Sequence, residues 1–292
     1  MEYRVFGKNG FQVPVIGFGA GHIGGNNLTD AEVDTLLNSA LDAGVTLIDT
    51  ARGYNLSEER IGKFLCHRRH DFILSTKVGY SIPGYEDWTY DCVAAGIDNA
   101  LRLLQTDYLD IVHLHSCPLW MLQKGEVTAA LCAARDAGKV RCAAYSGENE
   151  ELGFAINTGA FDSVQTSMNV FDQRSTRWYA SEAIRRRMGI IAKRPAGNCA
   201  WKYQERPEGQ YADAYWQRMK AMELDFGPDW LSVALRYTAF QTGAHSLIVG
   251  TGQLAHLLEN CKLTEAGPLS EDILNMITSR FGPHEAEWGG EV

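Results

Sequence analysis

Apolar positions recur along this chain with two alternating periods. Between 30 and 43, Val33, Leu36, Leu37, Ala40 and Leu41 share one face of a 3.6-residue helix. The run Val45-Thr46-Leu47-Ile48 that follows has the short, β-branched character of a strand. Thr29-Asp30-Ala31-Glu32 carries the capping-box pattern at the helix start. Gly44 ends the helix, because glycine enters the left-handed conformation at little cost. The same exit recurs in Asp136-Ala137-Gly138-Lys139-Val140 and Arg187-Met188-Gly189-Ile190, and Val93, Ile97, Ala100, Leu101 and Leu104 make another helical stripe. The pattern predicts strands near 14–18, 45–49, 71–76, 109–114, 140–145, 162–166, 189–192 and 246–249. Helices are predicted at 30–43, 57–66, 89–105, 121–137, 149–157, 175–188, 228–239 and 253–262.

Eight alternating units without a linker predict a single α/β domain over 1–292, a (β/α)8 TIM barrel. Residues 3–6 and 11–13, joined by Gly7-Lys8-Asn9-Gly10, read as an N-terminal β-hairpin that closes the barrel floor. A long loop, 194–227, follows the seventh strand and carries Trp201, Tyr203, Tyr211, Tyr215 and Trp216. A last helix is expected after Ser270, followed by a loose end at Trp288-Gly289-Gly290.

Composition narrows the function classes. An apolar share of 45% over 292 residues is enough for one large core. No uncharged apolar stretch approaches the ~20 residues of a membrane span, and Met1-Glu2-Tyr3-Arg4-Val5-Phe6 lacks the layout of a signal peptide. The seven cysteines contain no CxxC pair, which reads as reduced thiols of a cytoplasmic protein and argues against a cysteine-built zinc site. A net charge of −9 argues against a nucleic-acid partner, whose phosphates need a basic face. A small anionic ligand needs only a local cluster of cations. The run Arg185-Arg186-Arg187 reads as the solvated last turn of a helix.

Barrels of this architecture carry their chemistry on the loops after each strand. Those loops hold Asp49 and Tyr54, then Lys77, then His115, and later Ser146, Gln165, Lys193-Arg194 and Gly250-Thr251-Gly252. Asp49, Tyr54, Lys77 and His115 come from three separate segments, and together they can protonate a carbonyl oxygen while a hydride reaches its carbon. A phenol, with an ordinary pKa of about 10, is a poor proton donor near neutrality without positive charge beside it. Lys77 can supply that charge, with Asp49 as its partner, and His115 can donate a hydrogen bond to the same oxygen. A nicotinamide supplies such a hydride and no metal is required.

In these motifs the chain resembles the aldo-keto reductases. The likeness is carried by Ile48-Asp49-Thr50-Ala51-Arg52-Gly53-Tyr54, Ser57-Glu58, Ser75-Thr76-Lys77, Asp107 through His115, and Val249-Gly250-Thr251-Gly252 with Glu259-Asn260. The resemblance implies reduction of an aldehyde or ketone to an alcohol, with Tyr54 as general acid, Lys77 and Asp49 tuning it, and His115 orienting the carbonyl. It implies NADPH, with NADH as the alternative, lying across the barrel mouth without a Rossmann domain. The cofactor's carboxamide would map to Ser146 and Gln165, and its adenine to Glu259 and Asn260. Three places depart from the family pattern: Gly147 stands where an asparagine is usual, Lys193 where a stacking tyrosine is common. Gly250 and His256 stand where a lysine and an arginine often grip the 2′-phosphate.

Other local motifs admit a functional and a plain reading. Lys193-Arg194 is expected to face the cofactor's pyrophosphate rather than solvent alone. Gly19-Ala20-Gly21-His22-Ile23-Gly24 satisfies GxGxxG, but Gly25-Asn26-Asn27 precedes the helix cap, so a substrate-side loop with His22 and Ile23 at the pocket is preferred to a Rossmann turn. His113-Leu114-His115 has metal-ligand spacing without a third ligand in view, and His113 reads as a packed barrel residue. Trp88, Leu119, Trp120 and Trp201 are candidates to line the substrate pocket. The runner-up function is a nicotinamide-binding regulatory subunit with little turnover, and a third is a barrel hydrolase or isomerase. A monomer or simple homo-oligomer is expected, with a small carbonyl compound as its partner.

Overall fold

A computed structural model describes all 292 residues. A hairpin of β1 (Tyr3–Phe6) and β2 (Phe11–Pro14) precedes eight parallel strands: β3 (Ile16–Gly19), β4 (Leu47–Asp49), β5 (Ile73–Val78), β6 (Leu109–His115), β7 (Val140–Ser146), β8 (Ser163–Ser167), β9 (Gly189–Lys193) and β10 (Ser246–Gly250). These eight close into a barrel in chain order, with β10 pairing β3. The (β/α)8 expectation, the hairpin and the insertion after β9 are therefore all present.

Side-chain alternation along each strand sorts the lumen into layers. Phe6, Phe11 and Val13 of the hairpin pack with Leu47, Ile111, Cys142, Ala144 and Ile191 as an apolar floor. A Cβ on Gly189 would sit 2.3 Å from the Phe6 ring, so only glycine lets the hairpin plug the barrel so closely. Above that floor the inward residues turn polar: Asp49, Ser75, Lys77, His113, Ser146 and Gln165 are all buried. Register sets Asp49 beside Ser75, Lys77 beside His113, His115 beside Ser146, and Ser167 beside Lys193. The main apolar core lies between the barrel wall and the surrounding helices, where Leu37, Ile97, Leu131 and Ile156 pack against Ile48, Leu74, Val112 and Ala143.

Two expected helices are broken. The span 121–137 is divided into Leu119–Lys124 and Glu126–Asp136 by Gly125, whose φ of 81° is left-handed. The span 175–188 is divided at Tyr179 into Arg174–Trp178 and Ala180–Arg185. The insertion after β9 is not a plain loop: it holds a 3-10 turn, Gly197–Lys202, and a helix, Asp213–Ala221. A second apolar cluster built on Phe171, Tyr215, Met219, Trp230, Ile277 and Phe281 fastens this insertion and the last helix, Glu271–Phe281, to the barrel's mouth side. No helix is long and apolar enough to cross a membrane.

Candidate active site

Four of the expected residues meet at the mouth. Lys77 Nζ donates to Asp49 Oδ2 at 2.6 Å and to the Thr50 carbonyl at 2.8 Å. It lies 5.1 Å from the centroid of the Tyr54 ring. The Tyr54 and His115 rings stand edge to face, centroids 6.1 Å apart at 87°. Asp49 is fixed from two further directions: Ser75 Oγ donates to Oδ1 at 2.7 Å, and Gln165 Nε2 reaches across the lumen to the same oxygen at 2.9 Å.

The electrostatics follow from this geometry. Burial alone would raise the Asp49 carboxyl, but Lys77, His113 and the hydrogen bonds from Lys77 and Ser75 hold it below the usual carboxylate value. Burial likewise opposes the Lys77 charge, yet Asp49 and the Tyr54 oxygen beside it hold the ammonium above its ordinary value. Burial, with the charges of Lys77 and Lys193, pushes His115 down to about 3. Its imidazole is therefore neutral near pH 7, with one N–H to donate.

Tyr54 itself is placed by glycine. The segment Ala20–Gly24 is a 3-10 turn laid against the Tyr54 loop, with Leu56 N donating to Gly24 O at 3.2 Å and Ser57 Oγ to Ala20 O at 2.9 Å. A Cβ on Gly24 would fall 1.9 Å from the Tyr54 carbonyl oxygen. The GxGxxG stretch thus supports the Tyr54 loop, and the helix Asp30–Asp42 begins only at its own cap, Thr29.

Across the mouth, Ser146 Oγ donates to Gln165 Oε1 at 3.2 Å. Both residues are wholly buried, and the Gln165 amide is engaged inside the barrel at both ends. Gly147 has a steric reason: a Cβ there would come within 2.4 Å of the Tyr145 hydroxyl. Lys193 pairs with the buried carboxylate of Glu148 at 3.0 Å. Glu148 also accepts from Thr166 Oγ1 and from Ser167 N at 2.9 Å. Arg194 meets the chain's own residues 291–292, donating to Glu291 O at 3.0 Å and Val292 O at 2.7 Å. This segment is seated firmly. Gly290 exchanges two hydrogen bonds with the Asn149 amide, Glu291 N donates to Asp172, and Arg218 binds the Gly289 carbonyl and the Glu291 carboxylate. Burial and the nearby Glu148 charge push Asp172 up to about 7. The end at Trp288-Gly289-Gly290, loose by its sequence, is thus held in place by these bonds and by Trp288 stacking on His284. Glu148 and Asp172 were not singled out from sequence, and the one available signal was a carboxylate two residues past Ser146.

A cavity of about 700 Å³ opens over these groups. It runs from Gly19, Gly21, His22, Asp49 and Tyr54, past Lys193, Arg194, Asn198, Cys199, Lys202 and Tyr211, to Gly250, Thr251, His256, Glu259 and Asn260. Gly252 packs on Leu28 instead. Ile23, expected at the pocket, is buried in the core, because the 3-10 turn points His22 to the cavity and the next residue inward. Trp120 is exposed on the outer surface under Lys124 and does not line the cavity. Trp201 stacks on Trp230 at 5.3 Å in the second core. Trp88 packs on Tyr80 beside His115, centroids 5.7 Å apart. No group of three or more His, Cys, Asp or Glu side chains is arranged to hold a metal ion.

Residues 15–280 match the model of the aldo/keto reductase family. The chain belongs to the aldo/keto reductase family. As a member it is an NAD(P)H-dependent oxidoreductase of carbonyl substrates. An uncharacterized oxidoreductase of Bacillus subtilis, YqkF, is 25% identical over 96% of both chains. The L-galactose dehydrogenase of Arabidopsis thaliana is 33% identical over 50% of this chain and 49% of its own. Among solved structures, the holo form of aldo-keto reductase AKR11C1 from Bacillus halodurans superposes with a TM-score of 0.82 over 96% of each chain at 23% identity, which shows the shared fold. A nicotinamide dinucleotide fits the cavity in extent and at its far end, where Thr251, Glu259 and Asn260 face the open space.

Proposed function

We propose that this reductase converts an aldehyde or ketone to an alcohol, with NADPH as reductant and Tyr54 as proton donor. The observation that carries the reading is the convergence of Tyr54, the Lys77–Asp49 ion pair and a neutral His115, with Tyr54 and Asp49 lining one end of the cavity. When bound, the nicotinamide supplies the hydride. His115 donates its N–H to the carbonyl oxygen and holds it near the Tyr54 hydroxyl. As negative charge gathers on that oxygen, Tyr54 gives up its proton, and Lys77 stabilises the phenolate left behind. Asp49 keeps Lys77 charged and aimed, and the hydrogen bonds from Ser75 and Gln165 keep Asp49 in place.

Glu259 and Asn260 would hold the adenine, while Lys202 and His256, which line the same cavity, are the side chains offered to a 2′-phosphate. Polar side chains along the cavity, together with the likeness to L-galactose dehydrogenase, support a small hydroxylated carbonyl compound as substrate. All seven cysteines are free thiols, which supports a reducing, cytoplasmic setting.

The test is steady-state NADPH consumption against a panel of simple and sugar-derived aldehydes and ketones. Tyr54→Phe is expected to abolish turnover while NADPH affinity, read by fluorescence titration, stays within a few-fold. A variant that keeps most of its turnover overturns the role of Tyr54. Wild-type protein that binds NADPH but reduces nothing in the panel favours the regulatory-subunit reading.

A further inference from the structure

The loop after β5 places a second tyrosine in the site. The Tyr80 hydroxyl lies 2.7 Å from Nδ1 of His115, and the two rings stack with centroids 5.5 Å apart at 26°. The contact is built from several directions. Trp88 packs on the far side of Tyr80, and its backbone N–H donates to the Gly79 carbonyl at 2.8 Å. Gly79, at φ 134°, lets the indole lie on the backbone: a Cβ there would sit 2.1 Å from the Trp88 ring. Gly53 leaves room for the hydroxyl, since a Cβ on it would stand 3.0 Å from that oxygen.

A neutral imidazole carries one proton, on either Nδ1 or Nε2, and the partner of one nitrogen decides the other. His115 is neutral, and Tyr80 stays protonated, its phenol raised chiefly by burial. A protonated phenol has a hydrogen to place, and the His115 nitrogen is the acceptor within reach of it. If Tyr80 donates to Nδ1, the histidine proton must sit on Nε2.

We propose that Tyr80 is a positioning residue that fixes the tautomer and ring orientation of His115, so that Nε2–H faces the substrate's carbonyl oxygen. The inference rests on the proposed role of His115 as the carbonyl's hydrogen-bond donor. Tyr80 touches neither substrate nor cofactor in this assignment; it acts through the imidazole alone.

Tyr80→Phe keeps the stacked ring and removes the hydroxyl. The primary readout is the His115 tautomer in the substrate-free protein, from nitrogen-15 NMR of histidine-labelled samples, with His115→Asn to assign the signal. Wild type is expected to show a single Nε2–H form and Tyr80→Phe a mixture. Turnover should fall on the order of tenfold in kcat, well short of the ~100-fold or more that deleting a transition-state donor outright brings, and NADPH affinity should not change. An Nδ1–H form in the wild type, or an unchanged tautomer in Tyr80→Phe, overturns the proposal. A tautomer that shifts with kcat untouched confirms the Tyr80 assignment and instead sinks the role given to His115.

Discussion

His113 offers a test of the buried polar layer by acid. Its side chain is wholly buried between Lys77 and Ala144 in the sheet register, with Nδ1 3.3 Å from the Thr76 carbonyl and Nε2 without a partner. Burial, reinforced by the Lys77 ammonium and only partly countered by Asp49, pushes it down to about 4. In the unfolded chain a histidine titrates near its ordinary value of about 6.5. Between those two values the unfolded state takes up a proton that the folded state refuses. Stability therefore rises with pH through the window and is lost as pH falls. At pH 5 the loss relative to pH 7 works out to about 2 kcal/mol from this one group. His113→Leu removes the titration with a side chain of similar bulk. Urea unfolding at pH 7 and pH 5, followed by tryptophan fluorescence, measures the difference. The drop between the two pH values should be smaller in the variant by about 2 kcal/mol, with an unchanged denaturant slope. His115 contributes equally to both proteins and cancels. Equal drops would mean that His113 titrates normally inside the barrel, and the argument would fail.

Three further outcomes are expected. Lys77→Met leaves the Asp49 carboxylate buried and unpaired, which should cost about 3–5 kcal/mol in denaturation experiments; adding Asp49→Leu should restore part of that stability without restoring turnover. Gly24→Ala drives a methyl group into the Tyr54 carbonyl, so kcat should fall at least tenfold, by roughly 1.4 kcal/mol of barrel-mouth misplacement or more, while NADPH titration stays near wild type; an unchanged kcat would show that the turn yields instead. Trp288→Ala removes a ring stacked 4.1 Å from His284 and set edge-on to Phe281, so amide exchange at Gly290 and Glu291 should accelerate while the barrel strands keep their protection.

The barrel was legible because its signals are local and periodic. Each helix stripe, capping residue and glycine exit is a short-range pattern, and the capping box at Thr29–Glu32 forms as expected. The quartet at the mouth was legible for a related reason: inward alternation at the top of parallel strands leaves Asp49, Lys77 and His115 nowhere else to point. What sequence hid was set by contacts without a period. Whether Gly125 would end one helix or merely interrupt it depended on the left-handed φ that its neighbours impose. Ile23 and His22 part ways within a 3-10 turn, whose tighter winding no heptad or alternation pattern anticipates. Gln165 turns to Asp49, 116 positions earlier, and Gly290 docks on Asn149, 141 positions earlier; such bonds are written in three-dimensional closure alone.

Those long-range bonds explain how a site drawn from separate strands can be rigid. Two lysines enter the mouth from opposite halves of the barrel, and each is paired with a buried carboxylate, Lys77 with Asp49 and Lys193 with Glu148. Such pairs add little net stability, because desolvation offsets most of their attraction. Their value here is directional. Gln165 links Asp49 to Ser146 across the lumen, so the half carrying Tyr54, Lys77 and His115 is tied to the half carrying Ser146 and Gln165. A hydride transfer tolerates little error in the distance between donor and acceptor carbons, and a cross-braced lumen holds the side chains proposed to orient the carbonyl in place before substrate arrives. The loop segment Gly197–Lys202 and the stretch leading to Asp213 are not part of this bracing. Changes of substrate preference should therefore be obtainable in that insertion at little loss of catalytic rate, whereas any change at Gln165 should lower kcat for every substrate alike.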